Sequence, residues 1–251
     1  MVAPLFVTAL VHPEIASTFS IPFLLIGAGT VVVFILFLVM GKRITPETPY
    51  ADMTEMRSRA RENPAEIFKT KPAWAILIAG ITYFALQIGI GIWLPTYFQQ
   101  QRGASYQESG LMLTLFYVGA LAMRFLTPLF LRKMKAKHMF TIFGLLSCAC
   151  IAAALLSSNM ALTTAFIMAG GFFQGAHAPL LVIMCCDTFP KRTGSASALI
   201  SISNGIASLT FPVLMGAMAE TMGFQVPLFL IVGTCIASSL IIFFLGRKIT
   251  L

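Results

Sequence analysis

Apolar residues run through this chain in long stretches, near 17–40, 73–98, 109–131, 139–156, 161–185, 195–218 and 225–245, with a fragment at 1–11. A helix needs about 20 residues to cross the hydrocarbon of a bilayer, and each of the seven long stretches meets that length. The pattern predicts an all-α polytopic membrane protein with one leading span and a block of six.

Polar segments separate the stretches. The longest, between Lys42 and Lys71, contains ADMTEMRSRARENPAEIFK over 51–69, where acids and bases mix with a few apolar side chains. Two readings fit it: a short amphipathic helix on the membrane surface, or a solvated linker. Either way it divides the chain into 1–40, the end of one helix followed by a complete span; 41–72, a connecting loop; and 73–251, a six-helix bundle.

Charge sharpens the topology. Fifteen of the sixteen Lys and Arg residues outside the spans fall on one side of the alternating connections, with Arg102 alone on the other. By the positive-inside rule that side is cytoplasmic, which places 41–72 and the carboxyl terminus there. The composition agrees with a membrane protein: 58% of the 251 residues are hydrophobic, 10% are charged, and the mean hydropathy is +0.88. A net charge of +8 raises the question of nucleic acid. The basic residues sit in short clusters between apolar runs rather than on one polar face, so no nucleic-acid partner is expected. Five cysteines lie inside apolar segments without metal-ligand spacing and read as small packing residues. No metal and no cofactor is expected. The amino terminus, MVAPLFVTALVHPE, lacks a basic n-region and a cleavage pattern, and reads as the tail of a membrane helix whose beginning is missing.

Strong polar side chains inside the spans are few. Within the block of six, Tyr83 and Gln87 share a face of the first span, being four apart, and Gln174 and His177 do so on the fourth, being three apart. Arg124 lies on the second span and Asn204 on the fifth. The third and sixth carry nothing more polar than Ser, Thr and Cys. Lipid tolerates the third and sixth, while the other four favour one another or a wet cavity. Gly and Pro also interrupt the first span at QIGIGIWLP (87–95) and the fourth at GGFFQGAHAP (170–179), which predicts paired broken helices beside a binding site.

Arg124 carries the sharpest question. It lies roughly 20 Å into its span at about 1.5 Å per residue, and a buried arginine at a helix centre costs about 3 kcal/mol on an insertion scale. It either snorkels to the headgroups or offers a fork of donors to an anionic or hydroxyl-rich substrate. No acid lies mid-span to neutralise it. His177 is either a packed, hydrogen-bonded histidine or a proton carrier, and Asn204 bonds either a ligand or a neighbouring helix.

Three segments resemble the major facilitator superfamily. GALAMRFLTPLFLRKMKAK (119–137) resembles the end of helix 8 and the basic loop after it, without that loop's usual Asp and Gly. The stretch from FQGAHAP to AETMG (173–223) resembles helices 10 and 11. YFALQIGIGIWLPTY (83–97) is similar to helix 7 of the fucose, galactose and hexose proton symporter branch. The resemblance implies a truncated twelve-helix fold comprising the end of helix 5, helix 6 and the carboxyl-terminal six helices, with an amino-terminal half as the missing partner. It also implies a secondary transporter working by alternating access, with a small-molecule substrate such as a sugar or organic anion and a proton as coupling ion. The expected substrate contacts are Arg124, Tyr83, Gln87, Gln174, His177 and Asn204, in a plasma (cell inner) membrane. A non-transporting assembly or receptor-like protein is the alternative. An enzyme is not expected, because HExxH, GxSxG, a P-loop and a mid-span carboxylate pair are all absent.

Overall fold

The computed structural model describes residues 20–41, 64–190 and 192–245, and every regular element among them is helical. The reason is elementary: hydrocarbon offers no partner to a backbone N–H or C=O, so a spanning segment satisfies those groups within itself. The fragment at 1–11, most of the charged 51–69 stretch and the last basic cluster lie outside the described residues.

Contacts divide the chain into two units, Val2–Pro64 and Ala65–Leu251. In the first unit the described element is α1, Ser20–Gly41, whose 22 residues are long enough to span. Its described side chains from Ile26 to Met40 are exposed and nearly all apolar.

The second unit begins one residue into a short 3₁₀ helix, Pro64–Lys69. It continues through α2 (Lys71–Arg102), α3 (Tyr106–Leu131), α4 (Ala136–Leu156), α5 (Met160–Gln174), α6 (His177–Thr188), α7 (Thr193–Met222) and α8 (Gln225–Leu245). With α5 and α6 forming one span, six helices here are long and apolar enough to cross a membrane.

Local chemistry fixes the helix ends. Gly103, in the left-handed region at φ 66°, turns the chain after α2, and Ala104 N–H reaches back to the Phe98 carbonyl at 3.0 Å. Two residues later Ser105 opens α3 with a reciprocal capping box. Its hydroxyl accepts from Glu108 N–H at 3.2 Å, and its own N–H donates to the Glu108 carboxylate at 2.8 Å. Arg102, the lone base of its side, has a structural task. Its guanidinium donates to the carbonyls of Leu155 at 2.5 Å and Ser157 at 2.8 Å, closing the end of α4, and to the Tyr97 hydroxyl at 3.1 Å. On the opposite side Arg192 donates to Glu66 at 2.8 Å, tying the loop before α7 to the 3₁₀ helix.

Small residues let the helices meet. Gly119 on α3 faces the backbone of Met168, while Gly171 on α5 and Gly175 at its C-cap face the carbonyls of Phe116 and Ala120 so closely that no Cβ fits. Two glycines four apart against two residues four apart form one seam, as in small-xxx-small packing. Between α2 and α7 a Cβ at Gly80 would stand 2.6 Å from Ser203 Oγ, whose hydroxyl donates across the interface to Leu77 O at 3.1 Å. Gly144 of α4 meets Ser239 of α8 in the same manner, and Thr141 donates to Ser239 O at 3.2 Å. Thr141 and Gly144 of α4 thus meet Ser239 of α8 inside the bundle.

The expected interruption of α2 does not form. The helix runs from Lys71 to Arg102 with Pro95 inside it, and Gly89 admits Ile231 and Met215, a Cβ there falling 2.7 and 2.8 Å from them. The other interruption does form, between Gln174 and His177. In both places a proline follows a glycine by four residues. Proline removes the N–H that would serve the carbonyl four back and crowds that carbonyl with its ring. At Gly91–Pro95 the helix nonetheless continues. At Gly175–Pro179 the backbone stays near helical angles but the helix is interrupted, and there Gly175 is pressed against Ala120 of α3.

Candidate solute-binding site

A pocket of about 490 Å³ opens on the six-helix unit, lined by Phe84, Gln87, Ile88, Gly91, Ile92, Tyr117 and Asn204. Three helices supply it: α2, α3 and α7. Their order along the chain places it mid-span, since Gln87 is sixteen residues from the start of α2, or about 24 Å at the helical rise.

On α2 the lining residues form two parallel rows. Phe84, Ile88 and Ile92, four apart, make an apolar row; Gln87 and Gly91, also four apart, make a polar one beside it. Tyr117 projects from α3, and Gly91 makes room for it: a Cβ at Gly91 would lie 2.9 Å from the Tyr117 hydroxyl. Asn204 is exposed on α7, and its amide oxygen accepts from Ser208 Oγ at 3.4 Å.

Arg124 lies seven residues beyond Tyr117 on α3, on the same face and about 10 Å further along it. Helical side chains tilt toward the amino terminus, which aims this one at Tyr117 rather than at the basic cluster from Arg132 onward. Its guanidinium stands within reach of the phenols of Tyr83 and Tyr117. The guanidinium Nε is buried without a hydrogen-bond partner. The described carboxylates, Glu66, Glu108, Asp187 and Glu220, stand in loops or near helix ends, so none neutralises it.

The remaining expected residues go elsewhere. Tyr83 is 2% exposed, with its ring stacked on His177 at 6.0 Å between centroids and 9° between planes. His177 is 1% exposed, with Nδ1 3.2 Å from the Gln174 carbonyl and Nε2 3.2 Å from that of Phe140 on α4. Gly144 leaves the space for the ring, and Phe140 meets it edge-on at 4.5 Å. His177 therefore stitches the broken span to α4 and backs the tyrosine that Arg124 approaches. Gln174 is buried as well, and neither atom of its side-chain amide finds a partner.

Of the six expected contacts, Gln87 and Asn204 line the pocket, Arg124 and Tyr83 lie beside it, and Gln174 and His177 are enclosed among helices. Tyr117 had not been anticipated. Its seven-residue spacing from Arg124, two turns on one face, is the signal that marks it.

Comparison with known proteins fits this architecture. The profile described as Major Facilitator Superfamily matches residues 1–170 and again 102–250, so the two ranges together span nearly the whole sequence. The chain is also similar to "Uncharacterized MFS-type transporter YfkL" of Bacillus subtilis (strain 168), 25% identical over 174 residues. That alignment takes in 66% of this chain and 43% of the relative, so the match spans less than half of the relative's length. The all-helical six-span unit and the profile match lead to one statement: this chain belongs to the Major Facilitator Superfamily, a family of membrane transporters.

Proposed function

We propose that the chain supplies the carboxyl-terminal half, and one preceding helix, of a secondary transporter that carries a small polar solute by alternating access. The observation that carries this reading is the mid-span pocket, where Gln87, Tyr117 and Asn204 converge from three helices on a space of about 490 Å³. A polar cluster at that depth has no value to a purely lipid-facing surface, whereas a transporter binds its solute near the midplane and rocks two halves about it. An amino-terminal half supplies the other wall. Substrate-dependent stabilisation of one arrangement over the other then shifts the population between inward- and outward-open states.

In this reading residues 41–72 and the carboxyl terminus face the cytoplasm, and the membrane is the plasma (cell inner) membrane, on the strength of the basic clusters. Transport is coupled to protons. The coupling group lies outside the six-helix unit, since its described spans carry no carboxylate at mid-depth.

The test is solute uptake by proteoliposomes holding the chain together with an amino-terminal half, under an imposed proton gradient. Uptake above protein-free vesicles that falls at least tenfold in Gln87→Leu supports the reading. Flux equal to that of empty vesicles across a panel of sugars and organic acids sinks it.

A further inference from the structure

We propose that Cys148 and Cys235 form a dithiol site that peroxide oxidises to a disulfide, stapling α4 to α8, and that water-borne thiols do not readily reverse. The inference is independent of any transported solute. Both residues are free thiols, each 1% exposed, and both belong to one apolar cluster with Ile151, Leu228, Ile231 and Val232.

Helix register brings the two sulfurs together. The Cys148 thiol donates to the Val232 carbonyl at 3.7 Å, while Thr141, seven residues earlier on α4, donates to that of Ser239, seven residues later on α8. Rising numbers on α4 therefore meet falling numbers on α8, an antiparallel seam. Within it a Cβ at Gly144 would stand 3.4 Å from Ser239 Cβ. Cys148 and Cys235 are each four residues from that pair, one turn further along the same seam, and so face each other. The Cys235 thiol hydrogen-bonds to the Cys148 sulfur. A disulfide joins Cβ atoms about 3.5 to 4.5 Å apart, close to the separation this seam sets. The other cysteines are placed differently: Cys185 donates to the Ala196 carbonyl on α7 at 3.3 Å, and Cys150 lies about 200° round α4 from Cys148.

The chemistry balances with hydrogen peroxide as the oxidant. One sulfur attacks the O–O bond, which breaks, leaving a sulfenic acid and one water. The second sulfur then attacks the first: the S–S bond forms, the S–O bond breaks, and the departing hydroxide leaves with the second thiol's proton as another water. Two thiols and one peroxide become one disulfide and two waters, the sulfurs giving up the two electrons that peroxide takes. Burial slows the first step, because the thiolate is the nucleophile. The second follows at once, because its partner is already in contact.

The surroundings favour this product. Peroxide is small and uncharged and enters an apolar interior, whereas glutathione carries charges that resist transfer there. A disulfide is also neutral and fits among Ile and Val side chains as the thiols do.

The test uses the full chain in lipid nanodiscs, treated with hydrogen peroxide, blocked with N-ethylmaleimide and mapped by peptide mass spectrometry. A Cys148–Cys235 link, with two hydrogens lost, is expected as the main linked pair. It should persist in Cys150→Ala and vanish in Cys148→Ala and Cys235→Ala. The linked wild type should melt several degrees above its reduced form, a shift the two single variants lack. Glutathione should reduce the link about tenfold more slowly, or worse, than uncharged tributylphosphine does. Recovery of both thiols unoxidised overturns the proposal, as does a random mixture of pairings or reduction by glutathione as fast as by the phosphine.

Discussion

The hydroxyl of Tyr117 occupies the space that a side chain at Gly91 would need, 2.9 Å from where its Cβ would stand. Two residues on different spans, neither polar enough alone to mark a site, thus set the wall of the pocket together. Gly91→Ala is expected to lower stability by about 1 kcal/mol at most, since alanine's helix propensity offsets part of the crowding against the Tyr117 hydroxyl. Removing the hydroxyl with Tyr117→Phe should return most of that loss in the double variant, as thermal unfolding in detergent would show. Additive losses would mean that the two do not compete for space.

The seam between α3 and α5 is less forgiving, since Gly171 and Gly175 press on backbone, which cannot rotate aside. Either glycine changed to leucine should abolish folded protein in size-exclusion chromatography. Gly205→Ala, where nothing lies within 4 Å, serves as the control and should elute as wild type.

Arg102 closes α4 by donating to two carbonyls at once, a geometry that suits a guanidinium fork and not an ammonium. Arg102→Ala should cost about 1.5 to 3 kcal/mol, the range for hydrogen bonds to a charged group. Arg102→Lys should recover only part of this in the same unfolding assay.

The Arg192 guanidinium beside Glu66 holds its carboxyl below the ordinary value, by a hydrogen bond and by charge. A lowered folded-state pKa adds stability above the unfolded value, and that stability is lost as pH falls through the folded one. Glu66→Gln should therefore lower the melting temperature slightly at pH 7, and the difference should close under acid conditions. The effect is small because the pair is solvent-facing. A difference that grows on acidification would contradict the pairing.

Water access distinguishes the pocket from the enclosed polar residues. In a cysteine-free background, single cysteines at 87, 117 and 204 should react with a water-borne thiol reagent. Those at 174 and 177, both within 2% of full burial, should not. Fast labelling at 177 would return His177 to the wet surface.

Apolar run length determined most of what this chain is, because a bilayer imposes a length and a backbone-pairing rule that any sequence must meet locally. The spans, the helical class and the family were therefore legible in one dimension, and Gln87 and Asn204 stood out there because amides are conspicuous in hydrocarbon. Only the tertiary structure decided where a polar group points. His177 and Gln174 look as available in sequence as Asn204, yet the seam at Gly171 and Gly175 and the space at Gly144 draw them inward. Tyr117 reads as an ordinary aromatic residue until α2 brings a bare glycine opposite it. Packing between helices depends on pairs of residues distant along the chain, such as Gly91 and Tyr117 or Gly144 and His177, and no local pattern records those pairs.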